Sequence, residues 1–596
     1  MTLSSTHSRG GSTRARAVRT AFAALALASV TTHCGDDEPR RRRRGNDAGQ
    51  AGTAGAAGLA GKAGAPSGGA AGALPSASGG RAGGGAGGAQ TLGGSAGASG
   101  NGGAGNAGLG GQGGRGGAGG NAGTAGTATA GFTGEAGAAD GGAGSGGDGI
   151  LSISKVALYQ GTEITLFERG KTTDPEAPVV VGRAAKLRVF VSRGAGFSTR
   201  GVVGSLTFTG KRGALSKTVT QEVAADSRPD SLESTLNFDI PAVDIAEDNT
   251  IRIELQEASD TEVVLDAWPR TGANQLDASS SHGPLHLTLV PLVANDVVPD
   301  LSESVVEQFS AHLLALYPVP GVEITVHAPH ELTRPVLGDD YGTGWDEALD
   351  ELYQLRFDDS PPPNEYYYGV LTPAASMAEY CPVGCVVGLS VLADPGEEEY
   401  RGAIGTGFFE FSGDTYSQET LEHELGHALG RDHAPCDTSD AEPNFPYADG
   451  HIGVWGWDGM RLRDPREDAD VMSYCMPVWV SDYTFDGIFT RIAYVNGLVE
   501  RRAAREGATP KRSRTLVFKP DGSARWGSER TTQTPFDAAG EQVELLDANG
   551  RVLGVAPARL RPFSHLPGGF LSLPAEALAT PGLAAVRSRG LTIAIP

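Results

Sequence analysis

Between Gly45 and Gly149 the sequence has almost no large apolar side chain. Runs such as "GGSAGASGNGGAGNAGLGGQGGRGGAGG" offer nothing to bury, so no packed core can form there. Proline is sparse in this stretch and the Gly-X-Y period is not kept, which excludes a collagen triple helix. Positive charge is also in deficit: 48 Lys and Arg stand against 71 Asp and Glu, a formal charge of −23. With no basic stripe to offset it, this balance argues against a nucleic-acid partner and for a soluble, extracellular-type surface. Apolar runs long enough to span a bilayer are missing as well; "AFAALALASV" (Ala21 to Val30) is too short.

What is present begins with an ordered set of export features. Arg9, Arg14, Arg16 and Arg19 precede that short apolar run, and Cys34 follows it, then "GDDEP" and the arginines Arg40 to Arg44. The order resembles a bacterial lipoprotein signal, which implies lipid attachment at Cys34 and residence at the outer-membrane surface. Cleavage after Ala28 in "ALA", giving a freely secreted chain, is the competing outcome. The glycine-rich segment that follows, as a coil of roughly 100 residues, has an end-to-end distance of about 50 to 60 Å and would hold a folded body away from its anchor.

Four cysteines remain: Cys381, Cys385, Cys436 and Cys475. An even set in an exported chain implies two disulfides, for which three pairings exist. We favour Cys381 with Cys385 and Cys436 with Cys475, with buried free thiols as the alternative.

The organisation expected is a leader with candidate Cys34 over residues 1–34, a linker over 35–149, a β-sandwich over 150–284, a catalytic domain over 285–507 and a small β domain over 508–596. In the sandwich region "KLRVFV" and "TIRIELQ" alternate with period two, setting Leu187, Val189 and Val191 against Arg188 and Phe190. From His286 strands alternate with helices: "LHLTLVPL", then "SESVVEQFSAHLLALY" with Val306, Phe309, Leu313 and Leu316 at helical spacing, then "VEITVHA", "WDEALDELYQL", "YYYGVLT" and "CVVGLSVL". This implies an α/β layer, with "GAIGTG" as a candidate edge strand. After Lys511 short strands return, and "ANG" supplies a hairpin turn.

The stretch "HELGHALGRDH" (423 to 433) carries the chemistry. Thr415 with Gln418 fits a capping box that starts a helix, and Gly430 suits the left-handed position that ends one. On such a helix His423 and His427 share a face. The reversal at Gly430 then brings His433 back towards them. Three imidazoles would leave a fourth position on zinc for water, with Glu424 beside it as general base.

The pattern His423-Glu424-x-x-His427-x-x-Gly430-x-x-His433 resembles the extended zinc signature of the metzincin metalloendopeptidases, and "DVMSYC" resembles their methionine turn. The resemblance implies one catalytic Zn²⁺, Met472 as the apolar floor beneath it, and Tyr474 as a residue that steadies the oxyanion. It also implies a twisted sheet over the active-site helix, an edge strand that aligns substrate, and a closing helix, for which "DGIFTRIAYVNGLVERRAA" has the length.

Weaker readings complete the set. The acid-rich segment Asp437 to Asp470 could hold calcium, though no spacing matches a binding loop. His451 and Trp455 are candidates for the cleft wall. The function expected is a monomeric zinc endopeptidase acting on extracellular proteins or glycoproteins. The alternatives are a surface adhesin that keeps the metal domain as a scaffold and metal-assisted hydrolysis of another bond.

Overall fold

A computed structural model describes residues 150–596, apart from 340, 383, 410–414, 439, 505–510 and 538–539. The leader, Cys34, the Ala28 cleavage point and the glycine-rich segment lie outside the described residues. The described chain is built mostly from β-sheets, with six helices among the described residues.

Two five-stranded sheets come first. One runs in the order Lys171–Thr172, Glu163–Glu168, Leu151–Tyr159, Ala185–Arg193, Leu236–Ile240; in the other Arg200–Gly210, Gly213–Val223 and Thr250–Glu257 are central. Period-two burial of Leu187, Val189 and Val191 on one sheet and of Ile251, Ile253 and Leu255 on the other joins both in a single apolar cluster. Arg188 breaks the simple alternation, because it too is fully buried. Its guanidinium donates to the carbonyls of Pro229 and Ser231, both at 2.9 Å, and lies over the Phe190 ring. A buried cation needs such partners.

The apolar cluster does not stop at residue 284. It continues through Leu285, Phe309, Leu421, Met472 and Phe485, so the sandwich and the next layer share one core. Arg183 reinforces this junction. It donates to the carbonyls of Ala315 at 2.9 Å, Tyr317 at 2.6 Å and Val319 at 3.2 Å, satisfying groups left open where the first helix ends.

The second layer is a six-stranded sheet in the order Val322–Val326, Leu285–Val293, Glu365–Leu371, Gly402–Thr406, Gly388–Leu389, with His330–Glu331 also paired to Leu285–Val293. Its pairs are parallel except the last, which is antiparallel. "GAIGTG" is therefore internal, and the edge is Gly388–Leu389 from "CVVGLSVL". All five residues of Gly402–Thr406 are buried, and a Cβ at Gly405 would fall on the Tyr368 hydroxyl. Small residues let neighbouring rings close over this strand, and that composition also made it look like an edge.

Helices α1 (Glu303–Leu316), α2 (Trp345–Asp359), α3 (Met377–Tyr380), α4 (Tyr416–Ala428) and α5 (Asp482–Ala504) belong to this layer. α1 buries Val305, Phe309, Leu313 and Leu316, so the apolar stripe begins one residue before the expected Val306. α4 buries almost its whole length, from Ser417 to Ala428, apart from Glu419.

A seven-stranded antiparallel sheet follows, built from strands between Lys511–Phe518 and Leu591–Ala594, with the short α6 (Ala575–Leu578) beside it. Ion pairs fasten this sheet to the α/β layer. Arg530, almost fully buried, meets Asp350 at 2.5 Å and lies about 5 Å from the Tyr353, Tyr400 and Phe570 ring centroids. Glu397, with no exposed surface, pairs with Arg559 at 3.0 Å and Arg561 at 2.6 Å. Desolvated charges persist only when paired in this way.

Candidate metal centre

Helix α4 presents His423, Glu424 and His427 one turn from its end. The expected capping box is not formed: Thr415 donates no cap, and its hydroxyl bonds Glu419 Oε1 at 2.8 Å instead. The helix is held by burial and by Tyr317, whose hydroxyl donates to the Glu422 carbonyl at 2.6 Å. Gly430 has φ +81°, and the Arg431 N–H returns to the Gly426 carbonyl at 2.9 Å, closing the left-handed cap. That reversal swings His433 back over the helix.

The rings of His423, His427 and His433 lie 4.8, 5.5 and 4.7 Å apart, centroid to centroid. Each of the first two is oriented by a carbonyl. His423 Nδ1 lies 2.7 Å from the Val471 oxygen and His427 Nδ1 lies 2.8 Å from the Arg431 oxygen. A carbonyl only accepts, so both Nδ1 atoms carry hydrogen and both Nε2 atoms present lone pairs. Those two Nε2 atoms face each other at 3.1 Å. Burial holds the His423 ring neutral, with its pKa pushed down to about 4, and pushes that of His427 well below its ordinary value, so no proton fills the gap. A cation between them resolves the conflict. Neutral nitrogen donors without thiolates suit a divalent first-row ion such as zinc.

Met472 lies beneath. A Cβ at Gly426 would fall on its sulfur, so the glycine within the histidine motif is what lets the methionine come up against α4. Asp470, read from the sequence as the end of a candidate calcium segment, instead shapes this turn. It is buried and accepts from the N–H groups of Met472 at 2.9 Å and Ser481 at 3.0 Å and from the Thr484 hydroxyl at 3.0 Å. The disulfide Cys436–Cys475 joins the segment after His433 to the segment after Met472, and Cys381–Cys385 closes a short loop near the cleft.

Glu424 is buried, and that burial pushes its carboxyl up to about 8 in the metal-free site. Gly388, on the edge strand, makes room for it; any side chain there would strike the carboxylate. The Tyr474 hydroxyl stands 3.0 Å from His433 Nε2, and burial followed by the neighbouring Glu424 charge raises its pKa, keeping it a neutral donor. These groups line an open cleft of about 520 Å³, with Tyr416, Val478 and Leu566 among its apolar walls.

One residue in the cluster was not anticipated. His565, from the turn between Val552–Pro562 and Gly569–Pro574 in the seven-stranded sheet, places a ligand-capable nitrogen within 4.8 Å of those of His423, His427 and His433. It lies 132 residues beyond His433, and no local spacing connects the two.

Two expectations fail here. His451 and Trp455 are not among the cleft residues: Trp455 packs against the cluster around Ala157, Tyr159 and Phe190, and His451 sits beside Asp449 at 3.2 Å. No carboxylate group with metal-holding spacing is found among the described residues of the acidic segment either, and several of its carboxylates are engaged by arginines. Asp458 meets Arg461 at 3.0 Å, Asp464 meets Arg466 at 2.6 Å, and Asp468 meets Arg463 at 2.7 Å. Among the described residues the four histidines are the one group with metal-holding spacing.

Comparison with known proteins bears on the same region. Residues 393–463, which contain the three motif histidines and Glu424, match the family Peptidase M66. That match supports a peptidase. No curated protein matches the chain. Among solved structures, a β-glucuronidase of Bacteroides uniformis is similar at 10% identity over 37% of this chain and 29% of its own, with a TM-score of 0.13. A β-galactosidase from Bacteroides fragilis is similar at 9% identity over 74% of each chain, with a TM-score of 0.14. The chain thus spans under a third of the length of the glucuronidase, and likenesses this slight carry no argument about fold or activity.

Proposed function

We propose that the protein is a zinc-dependent endopeptidase of metzincin type. The observation that carries this reading is the pair of opposed Nε2 lone pairs of His423 and His427, with His433 beside them and with His423 and Glu424 lining an open cleft. The edge strand Gly388–Leu389 beside α4 supports the reading.

His423, His427 and His433 would hold the ion. Once bound, a divalent ion polarises the substrate carbonyl and acidifies water. Glu424 takes the proton from the attacking water and returns it to the leaving amine. Tyr474 donates its hydroxyl to the oxygen that gains charge in the transition state. The walls exclude water from one side, and the edge strand offers unpaired backbone groups to an extended peptide.

Exposed proteins or glycoproteins are the proposed substrates. Export with a lipid at Cys34, and action as a monomer at the cell surface, belong to the same proposal; the two disulfides are compatible with an oxidising compartment. Incubating the full chain with a peptide library, with and without a chelator, tests the activity. Mass spectrometry of the amino-terminal peptide tests the lipid.

A further inference from the structure

We propose that His565 is a fourth imidazole ligand of the metal site, delivered by the seven-stranded sheet. The inference rests on the metal-binding part of the proposed function.

The geometry of the four rings is the first argument. His565 lies 5.2 Å from His423, 5.0 Å from His427 and 5.0 Å from His433, centroid to centroid. With the three distances among the motif histidines, these make six edges between 4.7 and 5.5 Å, close to a regular tetrahedron. The centre of a tetrahedron with edges of about 5 Å lies about 3.1 Å from each corner, and an imidazole nitrogen stands about 1.1 Å out from its ring centroid. Four nitrogens turned to the centre would thus lie about 2.0 Å from it, which is the zinc–nitrogen bond length.

The second argument is an unused nitrogen. His565 Nδ1 stands 2.6 Å from the Tyr474 hydroxyl. With Nδ1–H donating to that oxygen, Nε2 keeps a bare lone pair. Nε2 is buried without a hydrogen-bond partner, although Glu424 Oε1 lies 2.7 Å away out of alignment. A ligand nitrogen of His565 within 4.8 Å of those of the motif histidines is placed to share the cation held between them.

The third argument is preorganisation. The turn that carries His565 is fixed on both sides. Phe563 and Leu566 are buried in the core of the α/β layer, the Ser564 N–H donates to the Ser390 carbonyl at 3.0 Å, and the Ser390 N–H donates to Ser564 Oγ at 2.9 Å. His565 therefore arrives beside the edge strand without an ordering cost at the moment of binding. A fourth side-chain ligand takes the position that water would use in the proposed reaction, so peptide cleavage requires the His565 imidazole to give up that position.

The test is metal titration of the full chain after chelation, in the parent and in His565→Ala and His565→Cys. His565→Ala should bind zinc about tenfold or more weakly. His565→Cys loaded with cobalt should show a thiolate-to-metal charge-transfer band that the parent lacks, since a thiolate in that place is itself a ligand. Unchanged zinc affinity in His565→Ala, or absence of the band in a His565→Cys protein whose unfolding temperature matches the parent's, overturns the assignment. A parent chain that binds zinc but cuts no peptide removes the peptidase reading and leaves this titration fully readable.

Discussion

The Nε2 atoms of His423 and His427 face each other at 3.1 Å while each Nδ1 is tied to a backbone carbonyl. Neither ring can turn away without breaking a buried hydrogen bond, so both lone pairs are held facing one point. Chelation should lower the unfolding temperature of the parent, and adding back about one equivalent of zinc should restore it, because a ligand that binds only the folded state stabilises by mass action. Differential scanning calorimetry measures this.

The pH dependence of the metal-free protein has two opposed windows. Glu424 titrates near 8 when folded and near 4.5 when unfolded, so its contribution is present below about 4.5 and is lost as pH rises towards 8. His423 titrates near 4 when folded against 6.5, so its contribution is present above about 6.5 and is lost as pH falls. Glu424→Gln should abolish the first slope and keep the second. Thermal unfolding in chelator from pH 4 to 9, parent against variant, decides it.

Gly426→Ala sets two effects against each other. In an ordinary helix the change gains about 1 kcal/mol. Here the new methyl would meet the sulfur of Met472, which is itself buried. The collision should win, giving a variant about 1 to 3 kcal/mol less stable, with weakened zinc binding. Urea unfolding and metal titration read the two effects.

Glu397→Ala leaves Arg559 and Arg561 without their buried partner. The cost should be about 3 kcal/mol, since both arginines keep some contact with solvent. Limited proteolysis should then release the seven-stranded sheet faster than in the parent.

Much of the site is legible in the sequence, because it is local. His423, Glu424 and His427 share one helix, Gly430 enforces the reversal, and Met472 follows at a recognisable turn. The helix cap at Thr415 misled, since a buried helix needs no cap to be stable and the hydroxyl found Glu419 instead. His565 was invisible for the opposite reason. Nothing in "FSHLPG" marks it; its place is set by the ion pairs of Arg530 and Glu397, which seat a separate sheet against the α/β layer. The burial of Gly402–Thr406 likewise depends on which strand finally takes the edge, a choice that pairing makes and composition does not.

Tyr474→Phe removes one donor and keeps the ring. Turnover should fall by about 10² to 10³, as expected for a group that acts on the transition state, with a smaller loss of zinc affinity because the hydroxyl also holds His565 Nδ1. A matching loss of metal would assign the hydroxyl a structural role.

The most direct measurement compares peptide cleavage by the parent and Glu424→Gln, both loaded with one zinc per chain as shown by elemental analysis. The account predicts equal metal content and a fall in kcat of about 10³ or more in the variant. Undiminished cleavage by metal-loaded Glu424→Gln would contradict it.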